Sequence, residues 1–279
     1  MTDKLIVARG ALHMWEEPCI SGEKGSGTVF FAGCNMGCVY CQNSAISGKR
    51  PRDASFGGKI IDEKRLAEIF LNLQEEGAGN INLVTPTHYI PQIVMAVRMA
   101  KSQGLSLPIV YNTSGYERVE SLKLLEGVVD IYLPDFKYMD KIRAKRYSMA
   151  EDYPVVVKDA LDEMFRQVGA VQIDHQTGLL QKGMIVRHLV LPDTNRDTKQ
   201  IMRYLRDRFG EQIYVSLMHQ YTPIWGQLAE YPEIAHTVEE AQYERCISFA
   251  EKLGMTNLYI QEGGAVGESF IPSFQGEGV

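Results

Sequence analysis

A chain of 279 residues, 45% hydrophobic and 23% charged, carries enough apolar material for one large α/β core or two small ones. Its formal net charge of −6 and sequence pI near 5.6 exclude broad, sequence-independent binding to nucleic acid, which depends on neutralising phosphates with Lys and Arg. No apolar run approaches the length needed to span a bilayer. The opening Met1-Thr2-Asp3-Lys4 lacks signal-peptide character, and five cysteines cannot all pair, so the expected compartment is the reducing cytoplasm.

Along the chain, short β-branched or aliphatic runs alternate with longer segments of helical period, the pattern of βα units around a parallel sheet. Residues 1–26 read as an N-terminal extension or flap, in which Trp15, Glu16 and Glu17 either cover a barrel mouth or simply pack. Candidate strands occupy residues 28–32, 80–85, 107–112, 128–133, 184–191, 213–219 and 257–261. Asp62 is the expected N-cap of a helix with the apolar stripe Leu66, Ile69, Phe70 and Leu73. Pro91 opens the next helix, continued by Val94, Val97 and Met99. Residues 153–168 read as a helix and 170–183 as a hairpin or lid around Asp174-His175-Gln176-Thr177-Gly178, so 153–183 is expected to be an insertion. Later helices fall at 198–209 and 238–253. Six or so βα repeats are too few for a closed eight-fold barrel. The predicted architecture is α/β, a partial (βα)6 TIM-like barrel over residues 27–279, open on one side.

Cys34, Cys38 and Cys41 follow the first candidate strand with the spacing C-x3-C-x2-C. A loop leaving a strand can fold three thiolates around one corner of a [4Fe-4S] cluster, each holding one iron and leaving the fourth open. Structural zinc would want four ligands in short paired spacings. No second pair exists, and Cys246 sits in an apolar stretch where a thiol reads as a small hydrophobe. A metal-binding module without catalytic activity stays as the alternative class.

In α/β barrels chemistry gathers at the carboxyl ends of the strands. There the chain places Thr85-Pro86-Thr87-His88, Asn112-Thr113-Ser114, Asp135-Phe136-Lys137, Arg187-His188, Ser216-Leu217-Met218-His219 and Gln261-Glu262-Gly263-Gly264. Asp135 and Lys137 share one face of an extended segment, as a functional pair or a structural one. His88 and His219 have the ordinary hydrogen-bonded histidine as their plain reading. The glycine-rich stretches 25–27 and 263–267 lack the Gly-Lys-Ser/Thr of a P-loop.

The cysteine spacing, with Tyr40 before the third cysteine, resembles the radical S-adenosylmethionine (SAM) enzymes. Trp15-Glu16-Glu17-Pro18-Cys19, Gly25-Ser26-Gly27-Thr28, Val84-Thr85-Pro86-Thr87-His88 and Tyr111-Asn112-Thr113-Ser114-Gly115 narrow it to the pyruvate formate-lyase activating enzyme-like group. The resemblance implies Cys34, Cys38 and Cys41 as ligands of a [4Fe-4S] cluster, with Tyr40 beside the cofactors. It places Asn112, Thr113 and Ser114 where activases have aspartate, threonine and asparagine near SAM. Asp135 and Lys137 match an Asp-x-Lys pair that helps hold the SAM carboxylate and a monovalent cation, and Arg187 and His219 match residues facing SAM. The usual Gly-Gly-Glu after the second strand is replaced by Thr85-Pro86-Thr87, whose hydroxyls and carbonyls accept from the SAM ammonium more weakly than a carboxylate. The implied partners are a flavodoxin- or ferredoxin-type electron donor and a glycyl radical enzyme whose glycine loses hydrogen. The alternative substrate is a peptide or small molecule, with the 153–183 insertion closing over it.

Overall fold

The computed structural model describes residues 4–48, 57–224, 226, 228–261, 274 and 276–279; the glycine-rich stretch 263–267 lies outside them. The strands are β1 (Leu5–His13), β2 (Ser26–Phe31), β3 (Lys59–Ile61), β4 (Ile81–Val84), β5 (Ile109–Thr113), β6 (Ile131–Pro134), β7 (Gln172–Ile173), β8 (Leu180–Leu189), β9 (Tyr214–Met218) and β10 (Leu258–Ile260). The helices are α1 (Pro18–Ser21), α2 (Ser44–Ser47), α3 (Glu63–Glu75), α4 (Ile90–Ser102), α5 (Val119–Leu122), α6 (Lys141–Ser148), α7 (Tyr153–Val168), α8 (Asn195–Phe209) and α9 (Glu240–Lys252). Among the described residues, no helix is long and apolar enough to cross a membrane.

One sheet runs in the order β10-β9-β8-β6-β5-β4-β2-β1-β3, with β7 paired to β8 off this path. From β2 to β10 every neighbouring pair is parallel. The sheet ends in β10 on one side and β3 on the other, so the barrel is open, as predicted. Strands β4, β5 and β6 are buried along their whole length, which is why they read as apolar runs rather than alternating ones. Asp62 accepts a hydrogen bond from the Arg65 amide at 2.8 Å and caps α3, whose Leu66, Ile69, Phe70 and Leu73 are buried. Pro91 lies in the first turn of α4, where its missing N–H costs nothing.

The structure departs from the sequence reading at two places. Residues 5–13 are not a flap but strand β1, antiparallel to β2 from Val7↔Phe31 to His13↔Ser26 and to β3 on its other side. A search for βα units passes over an antiparallel strand that belongs to none. The following α1 sits inside the barrel: Asn80 donates to the Ile20 carbonyl at 2.7 Å and accepts from Ser26 Oγ at 2.6 Å. Cys19 and Ile20 pack on Val110, Ile131, Leu180 and Ile185, close to the amino ends of β5, β6 and β8.

The second departure concerns residues 153–183. Helix α7 is the crossover from β6 to β8, with Tyr153, Val157, Leu161 and Met164 buried and the Tyr132 hydroxyl bonded to Gln167 at 2.6 Å. The hairpin pairs β7 with the first residues of β8, Ile173 with Leu180 and Gln172 with Lys182. That is the amino end of the parallel strands, opposite the cysteine loop, so it does not reach over the carboxyl ends.

Gly115 sits at φ +75°, and an added Cβ would lie 2.5 Å from the Asp135 carbonyl oxygen and 2.9 Å from Val157. Gly115→Ala is therefore expected to cost about 2 kcal/mol or more through backbone strain and overpacking. Urea unfolding checks this; a loss within experimental error would mean that the turn has room to relax.

Candidate active site

The cysteine loop leaves β2 at Gly33 (φ 93°) and is pinned by its own backbone. Gly33 and Cys34 amides bond the Ile46 and Ser47 carbonyls of α2 at 2.7 and 3.1 Å; Gly37 and Val39 amides bond the Ser148 and Tyr147 carbonyls of α6 at 3.1 and 2.9 Å. Asn35 Nδ2 donates to the Tyr116 carbonyl beyond β5. The Ser148 hydroxyl lies 3.0 Å from Cys38 Sγ and 2.8 Å from the Tyr138 hydroxyl, which is 2.6 Å from that of Tyr40. Tyr40 is thus buried in a hydroxyl chain that ends on a cysteine.

Burial, then the neighbouring Cys38 and Cys34, push the Cys41 thiol up to about 12, with Lys137 pulling the other way. Bare thiolates so placed are penalised by desolvation and by each other. A metal cluster fits this donor set because its cationic centres reverse both penalties and hold coordinating thiols deprotonated. Among the described residues, no three His, Cys, Asp or Glu side chains are gathered around one metal position.

Cys38, Tyr40 and Cys41 share a cavity of about 580 Å³ with Asn112 of β5, Asp135 and Lys137 just beyond β6, and Arg187 of β8. Asp135 lies between two cations: Oδ2 is 2.6 Å from Lys137 Nζ and Oδ1 is 3.0 Å from Arg187 Nε. Arg187 also donates to Asn112 Oδ1 and, at 3.3 Å, to Glu16 Oε2. Burial alone would raise the Asp135 carboxyl; Lys137 and Arg187 outweigh it and hold the group below the ordinary carboxylate value. Lys137 is shifted upward in spite of burial, chiefly by Asp135 and then by Cys38.

Of the residues expected to hold the cluster or SAM, Cys34, Thr85, Thr87, Thr113, Ser114 and His219 do not line this cavity. Cys34 accepts from the Met36 amide at 3.4 Å. Thr85 has φ +58°, a strained conformation for a β-branched residue, and its amide bonds the Asn112 carbonyl at 2.9 Å. The hydroxyls of Thr87 and Thr113 both donate to Glu117 Oε1, at 2.6 and 2.5 Å. Ser114 Oγ accepts from the Tyr116 amide at 3.4 Å. His219 stacks on Tyr243 with ring centroids 4.3 Å apart, and its Nε2 is 3.2 Å from the Val238 carbonyl.

Three carboxylates here are not among the expected site residues: the sequence does not single out Glu117, and Glu16 and Glu17 read only as a flap over the barrel mouth or plain packing. Glu16 also accepts from Asn82 of β4 at 3.0 Å, and Glu17 lines the same cavity. Glu117 is buried behind β4 and β5, and burial raises its carboxyl to about 7 although Thr113, Thr87 and Tyr111 bond it. The signal for Glu117 was a carboxylate inside the polar block after a strand; for Glu16 and Glu17 it was an acidic pair directly before a proline.

Fold and site together define an open parallel barrel with a three-cysteine loop at the carboxyl end of its first parallel strand. A model of the radical SAM superfamily matches residues 28–205, well over half of the chain, and the chain belongs to that superfamily. Its members use a [4Fe-4S] cluster and SAM. An uncharacterised protein of Methanocaldococcus jannaschii is 29% identical over 255 residues, 89% of this chain and 68% of that protein. Among solved structures, the [FeFe]-hydrogenase maturase HydG of Carboxydothermus hydrogenoformans is similar with TM-score 0.58 and 11% identity, over 90% of this chain and 57% of that one. A domain of a pyruvate-formate lyase-activating enzyme from Bacteroides vulgatus gives TM-score 0.48 and 12% identity over 66% of this chain and all of that one. At these identities the similarity to solved structures is one of fold.

Because Glu117 holds its proton more tightly folded than unfolded, its contribution to stability is complete below the ordinary value of 4.5 and is lost as pH rises through about 7. A shift of that size corresponds to about 3 kcal/mol. The unfolding free energy of the natural chain is expected to fall by that order between about pH 5 and about pH 8 relative to Glu117→Gln. Denaturant titrations across this range check it, and parallel curves for the two proteins would mean that Glu117 does not titrate there.

Proposed function

We propose that this protein is a radical SAM enzyme that cleaves SAM reductively and uses the resulting carbon radical to take hydrogen from a substrate. The observation that carries this reading is a single cavity shared by Cys38, Cys41 and the Asp135–Lys137–Arg187 charge cluster. Cys34, Cys38 and Cys41 hold the [4Fe-4S] cluster, which when bound supplies the electron that breaks the sulfonium bond and yields a 5'-deoxyadenosyl radical. A flavodoxin- or ferredoxin-type protein is the proposed source of that electron.

Each residue then has a task set by its charge. Lys137 and Arg187 offer cations to the SAM carboxylate, while Asp135 keeps both charged and in place. Asn112 contributes an amide to the polar groups of the ligand. The hydroxyls of Thr87 and Thr113 are engaged by Glu117, so the 85–87 turn serves SAM chiefly through backbone carbonyls. Ser114 and His219 act from behind the wall, and Tyr40 braces the loop.

The hydrogen donor in this reading is a glycine Cα–H of a partner protein. Trp15 and Ile260 line the cavity and are 69% and 43% exposed, apolar groups on which a polypeptide segment can rest. A small molecule that enters the cavity whole is the competing reading. Growth with Cα-deuterated glycine separates them: deuterium should pass into 5'-deoxyadenosine from the protein fraction of a lysate and not from the small-molecule fraction.

Anaerobic reconstitution with iron and sulfide, then dithionite and SAM, is expected to yield 5'-deoxyadenosine, and Cys38→Ala to yield none. Lys137→Met should weaken SAM binding about tenfold or more, about 1.4 kcal/mol, in equilibrium dialysis. A reconstituted wild type that binds SAM no better than Lys137→Met would remove the lysine from the site, and failure to assemble a cluster would sink the whole assignment.

A further inference from the structure

The floor of the cavity carries more negative charge than the reading above uses. Glu16 bonds Asn82, two residues before the end of β4, which places it about 7 Å below the strand end at the rise of an extended chain. The cysteine loop starts beyond the carboxyl end of β2, so Glu16 and Glu17 lie in a deeper layer than the thiols. Glu17 is only 9% exposed and lines the cavity, and its Oε2 has no hydrogen-bond partner among the described residues. The rest of its carboxyl is met by the Ser216 side chain and a backbone amide, and its charge by Arg187, which is already shared with Glu16 and Asp135. Lys137 is spent on Asp135. Among the described residues, the remaining ionisable side chain on the wall besides the cysteines and Tyr40, Tyr221 and Tyr259 is His13, held below its ordinary value by burial and Arg9, and it adds no positive charge at neutral pH. Among the described residues that line the cavity, three carboxyl groups thus face two cations.

A buried carboxylate oxygen with no donor costs free energy unless a ligand provides one. We infer that this floor binds a cation carried by the substrate, a protonated amine, with Glu17 Oε2 as its acceptor and Glu16 beside it. Arg187 holds the two carboxylates apart from Asp135 and so separates the acceptor layer from the Asp135–Lys137 layer above. Burial pushes the Glu16 and Glu17 carboxyls upward, while Arg187 opposes it, so a cation beside them would favour their ionised form. The inference rests on the proposed function for its substrate, not for the binding itself.

The test uses cluster-loaded enzyme with saturating SAM and three probes of equal length, butylammonium, butanol and butyrate, followed by ligand-observed NMR. Butylammonium is expected to bind at least tenfold more tightly than butanol, with butyrate weaker still. Glu17→Gln should abolish that preference and leave SAM affinity within twofold. Equal binding of butylammonium and butanol to the wild type would overturn the inference, and this comparison stands whether or not the variant folds. A Glu17→Gln protein that loses SAM affinity instead would assign the acceptor to the ammonium of SAM and likewise overturn it. 5'-Deoxyadenosine formation by the wild type separates the outcomes: no amine preference with intact SAM cleavage removes this inference alone, whereas no SAM cleavage removes the proposed function.

Discussion

The guanidinium of Arg187 is the contact on which the rest of the site depends. Its three nitrogens reach Asp135 beyond β6, Asn112 on β5 and Glu16 on the turn after β1, elements far apart in sequence. The backbone helps to seat it: Asp135 and Arg187 form a parallel bridge past the end of β6, and the Phe136 amide bonds the Arg187 carbonyl at 2.7 Å. A buried guanidinium is tolerable only with such partners, and removing one of them leaves the others uncompensated at a cost of about 3–5 kcal/mol. The cluster is weak grounds for stability as such, since an apolar replacement could be as stable. It is strong grounds for a unique geometry, because few rearrangements would satisfy every member.

The β6–α6 unit couples that charge cluster to the cysteine loop. Asp135 and Lys137 follow β6, and the next helix ends at Ser148, whose carbonyl and hydroxyl hold Gly37 and Cys38. Met149 closes the helix in the left-handed conformation and bonds back to Lys145. A displacement of α6 would therefore move the thiols and the lysine facing them by related amounts. The Tyr40–Tyr138–Ser148 hydroxyl chain adds a second tie, with each hydroxyl able to donate to one neighbour and accept from another.

How much of this was legible in the sequence follows from the range of each interaction. The parallel strands were visible because burial on both faces turns them into apolar runs, and the thiols because three ligands from one loop must be close in sequence. Asp135 and Lys137 were visible as an i, i+2 pair on one strand face. Glu16 was not, since its meaning depends on an arginine 171 residues later. Thr87 and Thr113 stood at the right strand ends, but a buried carboxylate between them turned their hydroxyls away from the cavity. Helix α7 reads as part of an insertion from sequence alone; two helices, α6 and α7, separate β6 from β8, and only the packing of its apolar face against the sheet shows which one is the crossover.

The cavity itself is divided. Phe30, Val84, Leu189 and Met218 line it together with the charged residues, and α1 with its apolar neighbours fills the barrel near the amino ends of the strands. Directional groups fix the orientation of a ligand, whereas apolar wall offers no hydrogen bond and excludes water. On the proposed function, a carbon radical formed between the two would meet side chains that pack without donating polar contacts, while charges held rigidly by one another would keep its precursor in place. On the same reading, the buried ion cluster would serve the apolar half of the chamber as much as its own, because a ligand anchored at its polar end presents a fixed C–H bond to the opposite wall.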